Sequence, residues 1–168
     1  MNVDDYQKKD MNSKIERYEE LAAQVESLIA GERNEVSVLA NVSAAIREAM
    51  GFFWVGFYLV EGEQLVLGPF QGSVACYRIP YGKGVCGSAW AQRQTLVVPD
   101  VEAFPGHIAC SSLSRSEIVV PLMMRDTSGD DVVWGVLDID STELATFDDT
   151  DREWLGRISD AVSRELKG

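Results

Sequence analysis

The stretch GHIACSS, positions 106–112, sets the chain's only histidine, His107, three places before Cys110. A thiol becomes a nucleophile when nearby positive charge or hydrogen-bond donors lower its pKa from about 8.5 and leave the thiolate accessible. His107 and Arg115 are the local candidates for that task, within a loop that is otherwise serine-rich. Reactive groups are often carried on loops held by a rigid sheet, so Cys110 reads as a nucleophile. His107 reads as an ordinary loop histidine or as the base of a Cys–His hydrolase. Cys76 falls in an expected strand. Cys86, among Val85, Gly87 and Ala89, reads equally as a small buried hydrophobe or a second reactive thiol.

Carboxylates follow the loop. Glu117 opens a strand in SEIVVP, and Asp138 and Asp140 stand two apart in GVLDIDS, hence on one face of their strand together with Val136. Like charges at close range raise one another's pKa, so one acid here could stay protonated near neutrality and donate a proton. Alternatively, the cluster could bind an ammonium group. Trp54, mid-strand in FFWVGFYLV, is either core or the wall of a pocket.

Other chemistries fit poorly. GKGVCG, residues 82–87, matches the glycine pattern of dinucleotide sites, but those need a parallel βαβ unit and the strands before it run as a meander. A tight backbone turn is the better reading. The net charge of −12 argues against nucleic acid and against anionic membrane surfaces. With three cysteines, one histidine, and neither a CxxC nor an HxxxH pair, no metal site is expected. No apolar run approaches the ~20 residues of a membrane helix, and the polar opening MNVDDYQKKDMNSK does not resemble a secretion signal. A cytoplasmic protein is expected, where disulfides are transient or catalytic.

The elements that must position these groups can be read from periodicity. Ile15, Tyr18, Leu21, Ala22, Val25, Leu28 and Ile29 keep helical spacing from Ser13 to Ala30, with Gly31 as a cap. A second helix is expected over 35–50, closed by Gly51. Residues 52–60, LVLGPF and SVACYRIP form a three-stranded meander, which implies an antiparallel sheet. A short helix after GKGVCG, the strand TLVVPD, the cysteine loop and two further strands, EIVVPLMM and VVWGVLDIDS, come next. A last helix spans about 149–166, with Asp148 or Asp149 as N-cap. The order gives an α+β domain with helices on one face of an antiparallel sheet. Residues 1–14 are expected to be disordered or fraying, and 15–168 to form a single domain.

GPFQGSVACYRIPYGKGVCG, FPGHIACSSLSRSEIVVP, GVLDIDS and WVGFY together resemble the free methionine-(R)-sulfoxide reductases, a family built on a stand-alone GAF domain. The similarity runs over nearly the whole chain after about residue 15. One departure is Ser111, where the family usually has aspartate. The resemblance implies that Cys110 attacks the sulfoxide sulfur and becomes a sulfenic acid, that Cys76 resolves it as a disulfide, and that Cys86 is auxiliary. It implies that Glu117, Asp138 and Asp140 hold the sulfoxide oxygen and the substrate ammonium, and that Trp54 packs on the terminal methyl. It further implies no bound cofactor, with thioredoxin, NADPH and thioredoxin reductase as external reductant. A homodimer is compatible with the N-terminal helix. The rival expectation from another class is a non-catalytic GAF sensor of a small molecule or of redox state.

Overall fold

The structure, a computed structural model, describes residues 3–168. Helices α1 (Val3–Ile29) and α2 (Glu35–Met50) lead into strands β1 (Trp54–Glu61), β2 (Gln64–Gln71) and β3 (Arg78–Pro80). Helix α3 (Gly84–Gln92), β4 (Leu96–Val98), a 3₁₀ turn (Val101–Ala103), β5 (Ser116–Arg125), β6 (Asp131–Ser141) and α4 (Asp149–Lys167) complete the chain. The strands form one antiparallel sheet in the order β3-β2-β1-β6-β5-β4.

Side-chain alternation divides the interior in two. Val55, Phe57, Ile118, Val120, Leu137 and Ile139 face α1, α2 and α4. Trp54, Tyr58, Val119 and Val136, the neighbours of opposite parity, face α3 and the long loops. Trp134 joins the helical side despite its even number, because a bulge between Leu122 and Met123 shifts the register there. The α+β expectation, with helices on one face and loops on the other, matches this layering.

The helix ends follow local chemistry. Asn34 caps α2 by accepting from Ser37 N–H, and Gly51 closes it in a left-handed conformation at φ 72°. Asp148 and Asp151 form a capping box at the start of α4. Leu155, Ile158 and Val162 then put the apolar face of α4 on the sheet, each side chain contributing about 1.5–3 kcal/mol by burial.

Two elements differ from expectation. Helix α1 begins at Val3, ten residues before the expected start at Ser13; its first turns are exposed and lie outside the amphipathic pattern that marks the rest. The expected fraying segment 1–14 is thus helical from Val3, while Met1 and Asn2 lie outside the described residues. The third strand is only Arg78–Pro80 rather than all of SVACYRIP, so Cys76 sits in a loop and not in a strand. That loop is drawn off the sheet by contacts described below. No helix of the described residues is long and apolar enough to cross a membrane.

Candidate active site

The site is built on the loop-covered face. Register places Trp54 of β1 opposite Asp140 of β6, and Asp140 opposite Glu117 of β5, so the three share one row across the sheet. The next row pairs Gly56 with Asp138 and Asp138 with Val119. Glu117 and Asp138 are 6% exposed and Asp140 is half-buried, so the face carrying the acids is not a solvated edge.

Glycine at 56 is what admits the tryptophan. A Cβ there would lie 2.4 Å from Phe70 Cβ and 2.5 Å from the Trp54 ring. The indole therefore lies across the strand, stacked on Phe70 with centroids 5.2 Å apart, and donates Nε1–H to Ser73 O at 2.9 Å. Tyr58, two turns of the pleat further on, donates its hydroxyl to Cys76 O at 2.9 Å. These two bonds and the disulfide hold residues 73–76 away from the sheet.

The glycine turn opens α3. Gly84 takes φ 61°, and its missing Cβ leaves room for Ile108 of the cysteine loop. Thus GKGVCG makes a tight turn and a close contact, as the meander implied, and delivers Cys86 into the first turn of α3. Cys86 is buried and free, with Sγ 3.9 Å from Glu117 Oε1.

Cys110 reaches the same place from above. It is joined to Cys76 by a disulfide that spans 34 positions, with Cα atoms 5.4 Å apart. Ser111 Oγ accepts from Leu113 N–H at 3.2 Å and sets the turn after the cysteine. Under the disulfide lies a cavity lined by Trp54, Tyr58, Cys86, Glu117, Asp138 and Asp140, with His107 and Cys110 at its upper side. Arg115 is exposed and does not line it. His107 is half-buried and lines the cavity together with Cys110, whose sulfur is taken up in the disulfide.

The electrostatics are those of an acidic group whose one basic neighbour in the lining is His107. Burial pushes the Glu117 carboxyl well above the usual range, and the neighbouring Asp138 and Asp140 push it further. Asp140 is raised by burial and by Asp138, and Asp138 is raised chiefly by burial. The Cys86 thiol is likewise pushed up, by burial first and then by Asp138 and Glu117. Burial lowers His107, against the opposing pull of Asp138. Such a cavity holds protons that a carboxyl can donate, and it favours a cationic group brought into it.

The sequence-singled residues Trp54, Cys86, Cys110, Glu117, Asp138 and Asp140 all line this one cavity, and Cys76 sits beside it through its bond to Cys110. Tyr58 and Gly56 were not singled out. The parity that Tyr58 shares with Trp54 in WVGFY marks its face, whereas the role of Gly56 depends on where the indole lies.

Comparison with known proteins agrees with this architecture. The GAF domain profile matches residues 34–166. GAF domain-containing protein A of Dictyostelium discoideum is 57% identical over 147 residues, 87% of this chain and 90% of that protein. The free methionine-R-sulfoxide reductase of Escherichia coli is 46% identical over 155 residues, 92% of this chain and 91% of that protein. The X-ray structure of free methionine-R-sulfoxide reductase from Neisseria meningitidis in complex with its substrate superposes with a TM-score of 0.83. It is 54% identical, covering 89% of this chain and 87% of that one. The chain belongs to the GAF domain family, in the branch that contains the free methionine-(R)-sulfoxide reductases.

Proposed function

We propose that the protein reduces free L-methionine-(R)-sulfoxide to L-methionine, with Cys110 as nucleophile and Cys76 as resolving thiol. The observation that carries this reading is the Cys76–Cys110 disulfide lying directly over a cavity floored by Glu117, Asp138 and Asp140. A redox-active thiol pair and a store of carboxyl protons are the two things a sulfoxide reduction consumes.

In the reduced protein the Cys110 thiolate attacks the sulfoxide sulfur while one of the three carboxyls protonates the oxygen. The sulfur–oxygen bond breaks as that oxygen passes to Cys110, methionine leaves, and Cys110 becomes a sulfenic acid. Cys76 then attacks the sulfenic sulfur, water leaves, and the disulfide forms. A dithiol of the thioredoxin class returns both thiols by exchange, its own pair becoming the disulfide. Protonation at the cavity floor needs no base nearby, which fits carboxyls held above their usual range by burial and mutual repulsion. The oxygens of the remaining acidic groups accept from the substrate ammonium, and the Trp54 indole offers an apolar surface to its methyl group.

The test couples NADPH consumption to thioredoxin and its reductase, offering the free (R) sulfoxide, the (S) epimer and a peptide-bound sulfoxide in parallel. Turnover confined to the free (R) epimer, and lost in Cys110→Ser, is expected. Absence of turnover with every sulfoxide would overturn the reading in favour of a ligand-binding GAF sensor.

A further inference from the structure

The floor of the cavity combines one thiol with two carboxyls, drawn from three separate elements. We propose that Cys86, Glu117 and Asp138 form a binding site for a divalent cation of zinc type, open to loading while Cys76 and Cys110 are joined. One donor atom from each of the three lies within 4.8 Å of the others, and the Cys86 Sγ to Glu117 Oε1 separation is 3.9 Å. Zinc–sulfur bonds of about 2.3 Å and zinc–oxygen bonds of about 2.0–2.2 Å set a tetrahedral sulfur–oxygen edge near 3.5 Å. Small side-chain rotations therefore close the set around an ion.

A second observation points to a ligand. Asp138 Oδ1 is fully buried and has no hydrogen-bond partner, on a side chain that lines the cavity. Buried carboxylate oxygens are ordinarily satisfied. Among the described residues no lysine or arginine lines the cavity, Asp140 adds a further carboxyl beside it, and the one basic side chain there, His107, is held toward its neutral form by burial. A divalent cation that enters would supply positive charge that this lining lacks. A thiolate with two carboxylates suits zinc, whereas magnesium and calcium prefer oxygen throughout. The cavity measures about 40 Å³. At roughly 10–15 Å³ for each water, that accommodates an ion and one or two water ligands. Loading releases the Cys86 thiol proton and the proton held by Glu117 to solvent as the metal bonds form, with no change of oxidation state.

The site requires neither sulfoxide nor turnover, so it is tested apart from the reductase reading. The full-length protein is taken with its disulfide intact and titrated with cobalt(II). Cys86 is then the only free thiol, so a thiolate-to-cobalt charge-transfer band in the near ultraviolet reports on it alone. One equivalent of cobalt, displaced by one of zinc, is expected, with d–d bands of four-coordinate intensity. Cys86→Ser should abolish the band, and the near-isosteric Asp138→Asn should weaken cobalt binding about tenfold or more. Circular dichroism checks that each variant is folded. A wild-type protein without the band, a band that survives Cys86→Ser, or undiminished affinity in folded Asp138→Asn each overturns the proposal.

Discussion

The Tyr58 hydroxyl donates to the Cys76 carbonyl at 2.9 Å, and so ties a strand of the sheet to the loop that carries the second cysteine. Trp54, on the same face of β1, ties the other end of that loop through Ser73. Ordering loop residues costs roughly 1–2 kcal/mol each in backbone entropy, so these anchors matter for holding Cys76 near Cys110. Tyr58→Phe removes one neutral hydrogen bond, worth about 0.5–1.5 kcal/mol, or about two- to tenfold in an equilibrium. The first reduction of sulfoxide should keep its rate, while disulfide formation slows by that factor. Trapping the Cys110 sulfenic acid with dimedone and following it by mass spectrometry separates the steps. Equal slowing of both would place Tyr58 in substrate handling instead.

Gly56 beneath the Trp54 indole gives a second prediction. In Gly56→Ala the new methyl meets Phe70 Cβ at 2.4 Å, an atom fixed close to its backbone, and the indole at 2.5 Å. Overpacking of this kind costs about 1–3 kcal/mol. The ring must tilt off the strand and into the cavity, so KM for the sulfoxide should rise more than kcat falls. Urea midpoints and steady-state kinetics on the same preparation check both parts. Wild-type stability with an unchanged KM would show that the indole position is not set by this glycine.

Much of this arrangement was legible from the chain. The parity of Trp54, Asp138 and Asp140 and the helical spacing of α2 and α4 each depend on a short window of residues, and such windows are what periodicity reads. The sequence reads Cys76 into a strand because Val74, Tyr77 and Ile79 favour one locally, whereas it lies in a loop. The contacts that pull the segment off the sheet come from Trp54, Tyr58 and a cysteine 34 positions away. The meeting of Glu117 with Asp140 depends on strand register, which no local pattern encodes. The burial of Cys86 similarly depends on α3 closing over the sheet, so its neighbours left both readings open.

The far side of the sheet carries an ion pair that serves the fold alone. Asp151 is fully buried at the start of α4 and accepts from Lys14 Nζ and Tyr18 hydroxyl, each at 2.5 Å, and from Asp148 N–H at 2.9 Å. Asp151→Ala leaves the phenol without its acceptor and the lysine with only the exposed Asp148 carboxylate 3.3 Å away, a loss of about 3–5 kcal/mol for a broken buried pair. Tyr18→Phe, which keeps the ring stacked on Trp154, loses about 1.5–3 kcal/mol for one hydrogen bond to a charged group. Urea denaturation should rank the variants in that order. Both should retain wild-type kcat where folded, because the cluster lies across the sheet from the cavity. The reverse ranking would mean that the aspartate costs more to bury than its partners return.

Stability should fall as pH rises, and the cavity acids set the sign. A carboxyl raised above its unfolded value is protonated in both states at low pH, so it contributes its full share of stability below about 4, the unfolded range. As pH climbs, the unfolded chain releases that proton while folded Glu117 and Asp140 retain theirs, and stability is lost until pH passes their folded values. Glu117→Gln removes the ionisation and relieves the repulsion on its neighbours. The variant should therefore be more stable than wild type at pH 7 and nearly equal to it at pH 4. Its Tm gain should be about 2–4 °C for each kcal/mol recovered at this chain length. The same change removes a carboxyl proton from the cavity floor, so sulfoxide turnover should drop while thermal stability rises. Calorimetry at the two pH values decides it. A variant less stable than wild type at pH 7 would show that Glu117 is held ionised and well partnered in the folded protein, contrary to the burial and crowding around it.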